Sequence, residues 1–315
     1  MDYIVKEMLL VYAIIAVIAF LLIPDTALAW GPGMHMFVGM TALAKMALVA
    51  PAIRSLMEKH PDDFLYGAVV PDIIVGKKYA GYMHHCHNWR IGWRILEEAG
   101  SPRQRAAAYG YLMHLAADVV AHNYYIPFKI IKSFKARMLH HTYWEMRFDI
   151  GIPEKAWRQM SKMITYKLGE FDLLLERVLR KTLFSYKTNK RIFSSLLFLQ
   201  KIRGLRHSLN LYAKQSRFEM GAENRQHYVD LTMEAAFDFL ARPKSAACLD
   251  IDPTGVSRLA YAKHVRHRLK AFMRRGVLSE KEVQKLLHLV QERLAIGLYR
   301  PDLILPDIVN FLQLA

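Results

Sequence analysis

The stretch SPRQRAAAYGYLMHLAADVVAHNYYIP, residues 101–127, decides the fold class of this chain. Ser101 is a good helix cap and Pro102 suits the first helical position, so a helix is predicted to begin here. Pro127 is predicted to end it, because proline interrupts the hydrogen bonding of a helix. Leu-, Ala- and Met-rich stretches with isolated Gly and Pro continue on both sides, while strand patterns are scarce. The sequence therefore predicts an all-α, multi-helix fold.

The same patterns place further helices around this one. Helices are predicted over 35–49, over 51–59 and from about 133 to 151. Residues 154–241 keep a helical pattern, whereas the proline-bounded segment 61–72 is predicted to be a loop or short turn.

The N-terminal segment is the most apolar part of the chain. Residues 8–23, MLLVYAIIAVIAFLLI, run sixteen positions without a charge, fewer than the roughly 20 needed to span a bilayer. Pro24 follows, and Ala27-Leu28-Ala29 is a small-residue box typical of signal cleavage. We predict a signal peptide over 1–29 whose removal leaves Trp30 as the new N-terminus, with an uncleaved N-terminal anchor as the alternative. The protein is therefore expected to be exported, to the periplasm or outside the cell, or to be membrane-associated.

Composition excludes a disordered chain, because 53% of the 315 residues are hydrophobic and the mean hydropathy is +0.06. The formal charge of +16 rises to +18 if one Lys and three acids leave with residues 1–29. We predict a main domain over 30–241 and a helical C-terminal extension over 242–315 of unknown function. Residues 155–225 carry 16 Lys and Arg against five acids. This basic stretch is a candidate surface for anionic lipid, with a solvated face and nucleic-acid binding as alternatives.

Chemistry-bearing residues stand out in the helix that opens at Ser101. His114, Asp118 and His122 are spaced i, i+4, i+8, which places all three on one side of a helix that is apolar nearly all round. Burying an Asp and two His without partners would cost several kcal/mol. Either a metal ion compensates them or they form an ordinary buried hydrogen-bonded set.

Other segments add further candidate ligands. His141 and Glu145 share a helix face at i, i+4, as two ligands of one zinc or as an exposed pair. Residues 84–87 read His-His-Cys-His, which is typical of metal binding or of exposed histidines. Asp72 follows Pro71, where it could cap the next turn or bind a metal. His35 taken alone reads as a packing or surface histidine.

The order of these residues along the chain closely resembles the pattern of the bacterial zinc-dependent phospholipase C family. The single-strand-specific zinc nucleases of fungi share that pattern. The order is Trp, His, Pro-Asp, a His cluster, H-x3-D and H-x3-E, all within residues 30–145. The resemblance implies an all-α fold that holds three zinc ions. It implies these ligands: Trp30 and His35 for one ion, shared through Asp118; His114, Asp118 and one His of 84–87, near Asp72, for a second; and His122, His141 and Glu145 for the third.

Two parts of the motif are less well defined: the ligand within residues 84–87 and the spacing between Asp118 and His122. Within the cluster, His85 is preferred as the ligand by its position, and His87 is the second choice. The spacing between Asp118 and His122 is shorter than in the best-known secreted members of the family, although i+4 is itself good helical geometry.

The function implied by the resemblance is hydrolysis of phospholipids, releasing diacylglycerol and a phosphorylated head group. Clustered zinc ions lower the pKa of water toward 7 and stabilise an in-line displacement at phosphorus. Asp72 is then a candidate general base as well as a possible ligand. The expected partner is a phospholipid or membrane surface rather than nucleic acid. The alternatives are a zinc-dependent single-strand nuclease and a membrane-associated protein with a structural or inactive metal site.

Overall fold

The computed structural model describes residues 30–74, 85–136, 141–164, 168–179, 184–200 and 222–306. The secondary-structure elements within those residues are all α-, 3-10 or π-helices, and no strand occurs among them. The predicted all-α fold is therefore confirmed. The predicted signal peptide over 1–29 lies outside the described residues. The division between 30–241 and 242–315 stays a prediction.

The α-helices are α1 (Pro32–Ala44), α2 (Pro51–Lys59), α3 (Pro61–Val69), α4 (Trp89–Glu97), α5 (Pro102–Val120), α6 (Ile126–Lys132), α7 (His141–Asp149), α8 (Glu154–Met163), α9 (Glu170–Val178), α10 (Tyr186–Gln200), α11 (Ala222–Ala241), α12 (Val256–Arg274) and α13 (Glu280–Ile296). Short 3-10 helices cover Met46–Leu48, Val70–Ile73 and Ala247–Asp250, and a π-helix covers Ala121–Tyr125.

Helix α5 is the centre of the fold, and α3, α4 and α11 pack around it. Ser101 caps it as predicted, since its hydroxyl accepts the backbone N–H of Gln104 at 3.2 Å. The contact with α3 is unusually close because it uses two glycines. A Cβ at Gly67 would lie 1.8 Å from the Ala107 carbonyl oxygen, and one at Gly110 would lie 2.0 Å from a carbonyl of α3. This close approach brings the end of α3 beside the His114 turn.

Segment 61–72 is helical, so the prediction of a loop was wrong. Pro61 occupies the first turn of α3, and the acidic Asp62 and Asp63 follow it there. Proline fits a first turn, and negative charge is favourable at a helix N-terminus. The Pro61 that suggested a loop is therefore a feature of a helix start.

Pro127 does not end the helix as predicted. Helix α5 passes into the π-helix at Ala121, and α6 begins at Ile126 with Pro127 in its first turn. A proline ring would clash with the carbonyl four residues earlier in an unbroken α-helix. The wider π-turn before it changes that geometry. The helix expected to begin near Ser133 instead begins at His141, because Ser133 is the C-cap of α6.

Helices α12 and α13 follow in the C-terminal part. α12 packs against α6 and against the π-helix, and α13 also contacts α6. None of the helices that the structure describes is long and apolar enough to cross a membrane.

Candidate metal centre

The centre of the site lies on the inner face of α5. His114 and Asp118 are both completely buried, one helical turn apart. The His114 Nε2 atom is 3.3 Å from Asp118 Oδ2. The i, i+4 spacing therefore produces the contact that the sequence predicted.

His87 joins these two residues from the loop that precedes α4. Its Nε2 atom lies 3.0 Å from His114 Nε2 and 3.2 Å from Asp118 Oδ2. The Tyr111 hydroxyl, one turn before His114, donates to the Cys86 carbonyl and so fixes the loop at the site. The His85 ring lies beside His87 and its Nδ1 accepts the backbone N–H of His87 at 3.2 Å.

His35 and Asp72 complete the group. His35 Nε2 is 3.1 Å from Asp118 Oδ1, and its ring stacks on that of His114 with centroids 3.6 Å apart. Asp72, on the 3-10 helix after α3, places Oδ1 3.3 Å from His87 Nε2 and Oδ2 3.9 Å from His35 Nε2. We call these five residues, His35, Asp72, His87, His114 and Asp118, the Asp118 cluster.

The two oxygens of Asp118 face different partners. Oδ1 faces His35, whereas Oδ2 faces His87 and His114. Burial alone would raise the pKa of Asp118, but the neighbouring His114 and His35, when protonated, hold that pKa well below its usual value. The carboxylate is therefore the charged, shared member of the cluster.

The hydrogen bond of His114 Nδ1, the ring nitrogen that points away from Asp118, shows which nitrogen carries the proton. His114 Nδ1 lies 2.9 Å from the Ala68 carbonyl oxygen, which can only accept. Nδ1 therefore carries the proton, and Nε2 of the neutral ring presents a lone pair toward the carboxylates. Neither oxygen of Asp118 has an aligned hydrogen-bond donor among the described atoms. Converging lone pairs of this kind call for a cation.

The spacing of the ligand atoms fits zinc. Ligands bound to a tetrahedral zinc at 2.0–2.1 Å are about 3.4 Å from one another. The contacts among His87, His114 and Asp118 are 3.0, 3.2 and 3.3 Å. Ligand-type atoms of His35, Asp72 and His114 also lie within 4.8 Å of one another, as do those of His85, Cys86 and His87.

Trp30 lies next to this cluster. Its indole is completely buried, donates from Nε1 to the Ala117 carbonyl at 3.0 Å, and stacks on Tyr125. Because Ala117 immediately precedes Asp118, these contacts hold residue 30 beside the shared carboxylate.

Asp149 is a buried carboxylate near the Asp118 cluster that sequence reasoning missed. Its carboxylate accepts the backbone N–H groups of Gly33 at 3.0 Å and Met34 at 3.1 Å, at the start of the helix that carries His35. Burial raises the pKa of Asp149 to about 7, although both N–H groups oppose this. A signal was present, since Asp149 follows His141 and Glu145 at the same i, i+4, i+8 spacing.

The remaining predicted ligands lie on the π-helix and on α7. His122 is completely buried, and its ring centroid is 6.5 Å from that of His87. Glu145 is buried on α7. The backbone of His141 begins that helix, but its side chain lies outside the described part of the chain.

The fold and the site together define an all-helical protein with a buried cluster of histidines and carboxylates suited to zinc. Residues 34–190 match the family model described as zinc dependent phospholipase C, and the chain belongs to that family. The match contains all five members of the Asp118 cluster and the zinc dependence of the family accords with them. No curated protein and no solved structure gives a significant match to this chain.

Proposed function

We propose that this protein is an exported, zinc-dependent phospholipase C that hydrolyses the phosphodiester bond of phospholipids. The observation that carries the proposal is the convergence of three histidines and two carboxylates, fully or almost fully buried, in a chain of this family. Zinc, when bound, supplies a Lewis acid for phosphate oxygens and lowers the pKa of water toward 7.

The residues of the chain then have distinct tasks. His87 and His114, together with Asp118, would hold one ion, while His35 and the shared Asp118 carboxylate would hold a second. His122, with His141 and Glu145, is proposed to hold a third. Burial fixes the side chains of the Asp118 cluster in advance, so that little reorganisation is needed when substrate binds.

Asp72 is proposed as the general base. Its Oδ1 has one short contact, 3.3 Å from His87 Nε2. Its distances to His114 Nε2 (4.0 Å) and His35 Nε2 (3.9 Å) are longer than those of Asp118 to the same two atoms, 3.3 and 3.1 Å. A carboxylate held more loosely at the edge of the cluster can accept a proton from water without giving up a tight ligand position. Asp118 is held too closely by histidines to do the same.

Export is part of the proposal because it would create a ligand. Cleavage after Ala29 frees the α-amine of Trp30, whose ordinary pKa near 7.7–8.0 allows zinc to displace its proton at neutral pH. An uncleaved chain offers only an amide nitrogen at that position. Intact-mass measurement of the exported protein tests this, and a chain that still carries residues 1–29 while binding its full zinc complement contradicts it.

The decisive experiment measures zinc content and hydrolysis in the same variants. His114→Ala and Asp118→Ala are expected to lose zinc and to lower turnover at least roughly a hundredfold, since even outer partners of zinc ligands contribute 10–100-fold. His288→Ala, at an exposed histidine of α13, is the matched control. Full turnover by zinc-depleted His114→Ala would refute the mechanism.

The choice of substrate separates the alternatives. Purified protein is assayed with phosphatidylcholine, an anionic phospholipid and single-stranded DNA, with and without chelator. Chelator-sensitive turnover of phospholipid is expected. Turnover of DNA alone identifies a nuclease, and no turnover of any substrate leaves a structural metal site.

An anionic lipid surface is the proposed partner, and α12 is the described element best suited to meet it. Its sequence holds six Lys and Arg and no acid. Exposed apolar side chains flank it, Val256 at its start and Val277 beyond its end. Cations beside exposed apolar groups are typical of surfaces that bind anionic membranes.

Vesicle binding tests this surface. The double variant Arg274→Gln/Arg275→Gln is expected to bind phosphatidylglycerol-containing vesicles roughly thirtyfold more weakly, because each of the two cations contributes about 1 kcal/mol near a membrane. Lys155→Gln/Arg158→Gln is the charge-matched control on α8, within the basic stretch 155–225. A larger effect of the α8 pair would move the interface to that stretch.

A further inference from the structure

The loop at residues 251–255 packs against the π-helix that follows Asp118. It lies outside the residues that match the family, 34–190, and within the C-terminal extension whose function the sequence did not indicate. The Pro253 carbonyl oxygen is 2.6 Å from His122 Nδ1. The Asn123 side-chain amide donates to the Asp252 carbonyl at 2.9 Å.

The contact with the Pro253 carbonyl determines which nitrogen of the His122 ring carries the proton. A carbonyl oxygen can only accept, so Nδ1 of His122 carries the proton and Nε2 is left with a lone pair. His114 has the same arrangement, with Nδ1 2.9 Å from the Ala68 carbonyl. Zinc-binding histidines characteristically donate their other ring N–H to a carbonyl or carboxylate.

The loop is held in place by its own contacts. The Asp252 carboxylate accepts the backbone N–H of Thr254 at 3.0 Å and its hydroxyl at 2.5 Å. The Trp89 indole, on α4, donates to the Ile251 carbonyl at 2.9 Å. The loop therefore ties the π-helix to the element that follows the His87 loop.

Gly255 allows the loop to approach His122 this closely. It has a left-handed backbone with φ +60°, which favours glycine. A Cβ at Gly255 would lie 2.4 Å from the His122 carbonyl oxygen and 2.5 Å from its Cβ. Any side chain at this position would push the loop and His122 apart.

We infer that the loop 251–255 is a positioning element of the metal centre, which sets the tautomer and the ring orientation of His122. The metal centre is then completed by a segment beyond the family match. This inference rests on the proposed function, because it assumes that His122 binds zinc.

The test compares two glycines that share one backbone conformation. Gly276 also has a left-handed φ of +67°, but a Cβ there would have no atom within 4 Å. Gly255→Ala is expected to weaken zinc binding at one site about 10–100-fold, the usual effect of losing an outer partner of a ligand. Gly276→Ala introduces the same backbone strain and is expected to leave zinc binding unchanged.

Zinc affinity is measured by competition with a chelator, and the visible absorption of the Co²⁺-substituted protein reports the geometry around the metal. A Gly255→Ala protein with the zinc affinity and Co²⁺ spectrum of Gly276→Ala overturns the inference while leaving the proposed function intact. A wild-type protein that binds no zinc overturns both.

Asp252→Ala provides the second variant if Gly255→Ala does not fold. It removes the hydrogen bonds to Thr254 and loosens the loop without placing an atom against His122. A fall in zinc affinity of severalfold to tenfold supports the inference. An unchanged affinity and an unchanged Co²⁺ spectrum contradict it.

Discussion

Two buried carboxylates of this fold are balanced in different ways. Asp172 on α9 is 1% exposed and is surrounded by donors: Lys190 Nζ at 2.6 Å, the Tyr186 hydroxyl at 2.8 Å and the Gly169 N–H at 2.7 Å. The Tyr66 hydroxyl donates to it as well. We call Asp172, Lys190, Tyr186 and Tyr66 the Asp172 cluster. The chain itself supplies the cation for this carboxylate.

Asp118 has no such cation among the residues that the structure describes. Its ion-pair partners there are His35, His87 and His114. At least His114 presents an acceptor rather than a donor when neutral, because its proton is on the nitrogen that faces Ala68. A buried carboxylate with its own lysine, such as Asp172, links helices without an added ion. A buried carboxylate among histidines, such as Asp118, could hold an added cation.

Zinc removal is the largest expected difference between the two clusters. Chelation should lower the stability of the wild-type protein by at least about 5 kcal/mol, and its unfolding temperature by on the order of 15 °C, because the bound metal contributes to folding. The same treatment should lower the stability of Asp118→Asn much less, because this variant lacks the ligand shared by two of the three proposed ions. Differential scanning calorimetry with and without chelator measures both.

Asp172→Asn is the control for zinc removal, since it leaves the Asp118 cluster unchanged. It should keep the chelator-induced decrease in unfolding temperature. If chelation left the unfolding temperature of the wild-type protein unchanged, the claim that a bound metal stabilises the Asp118 cluster would be contradicted.

Disrupting the Asp172 cluster is expected to have the next largest effect on the free energy of unfolding. Asp172→Asn leaves the almost fully buried Lys190 ammonium without its carboxylate and should cost about 3–5 kcal/mol in free energy of unfolding. The double variant Asp172→Asn/Lys190→Met removes both charges and should recover a large part of this loss. Urea unfolding measures the three proteins, and zinc content should be unchanged in all. A single variant as stable as wild type would show that the pair is not a structural tie.

Lys129 is a further buried charge of the fold, a cation that faces aromatic rings. Its Nζ lies 5.6–5.7 Å from the ring centroids of Tyr125, Trp144 and Tyr228, and burial lowers its pKa to about 8. In the unfolded chain that pKa is near 10.5. The folded state therefore binds fewer protons between these values, so this contribution to stability is complete above pH 10.5 and is lost as the pH falls through 8.

The variant Lys129→Met removes this pH dependence. The stability of the wild type relative to the variant should rise by about 3 kcal/mol between pH 8 and 10.5. Urea unfolding of both proteins at several pH values provides the measurement. A constant difference in stability across this range would mean that the aromatic rings stabilise the Lys129 ammonium as much as water does, so that its pKa is not lowered on folding.

Asp149 gives the smallest expected effect. It is a buried carboxylate balanced by backbone N–H groups, those of Gly33 and Met34. Asp149→Ala leaves both donors at the start of α1 unpaired and should cost about 1–3 kcal/mol. Asp149→Asn keeps an acceptor oxygen and should cost less, as measured by thermal unfolding. Equal losses in the two variants would exclude the helix-capping role.

The helical class and the central His114–Asp118 pair of the site follow from local patterns in the sequence. The i, i+4 spacing of His114 and Asp118 depends only on helix geometry, so it could be read without knowing the rest of the fold. The spacing of His141, Glu145 and Asp149 carried the same information, and its third member was missed. Local signals failed where a proline had two meanings, at Pro61 and at Pro127.

Contacts between distant parts of the chain could not be read from the sequence, because they depend on how the helices pack. That His87 rather than His85 points its Nε2 at Asp118 follows from the packing of the loop before α4. That Asp172 meets Lys190, and that the Pro253 carbonyl meets His122 across 131 residues, also follows from packing. Spacing along a helix depends on neighbours three or four residues away. Contacts between helices depend on how all their apolar faces are buried together, and no short stretch of sequence contains that information.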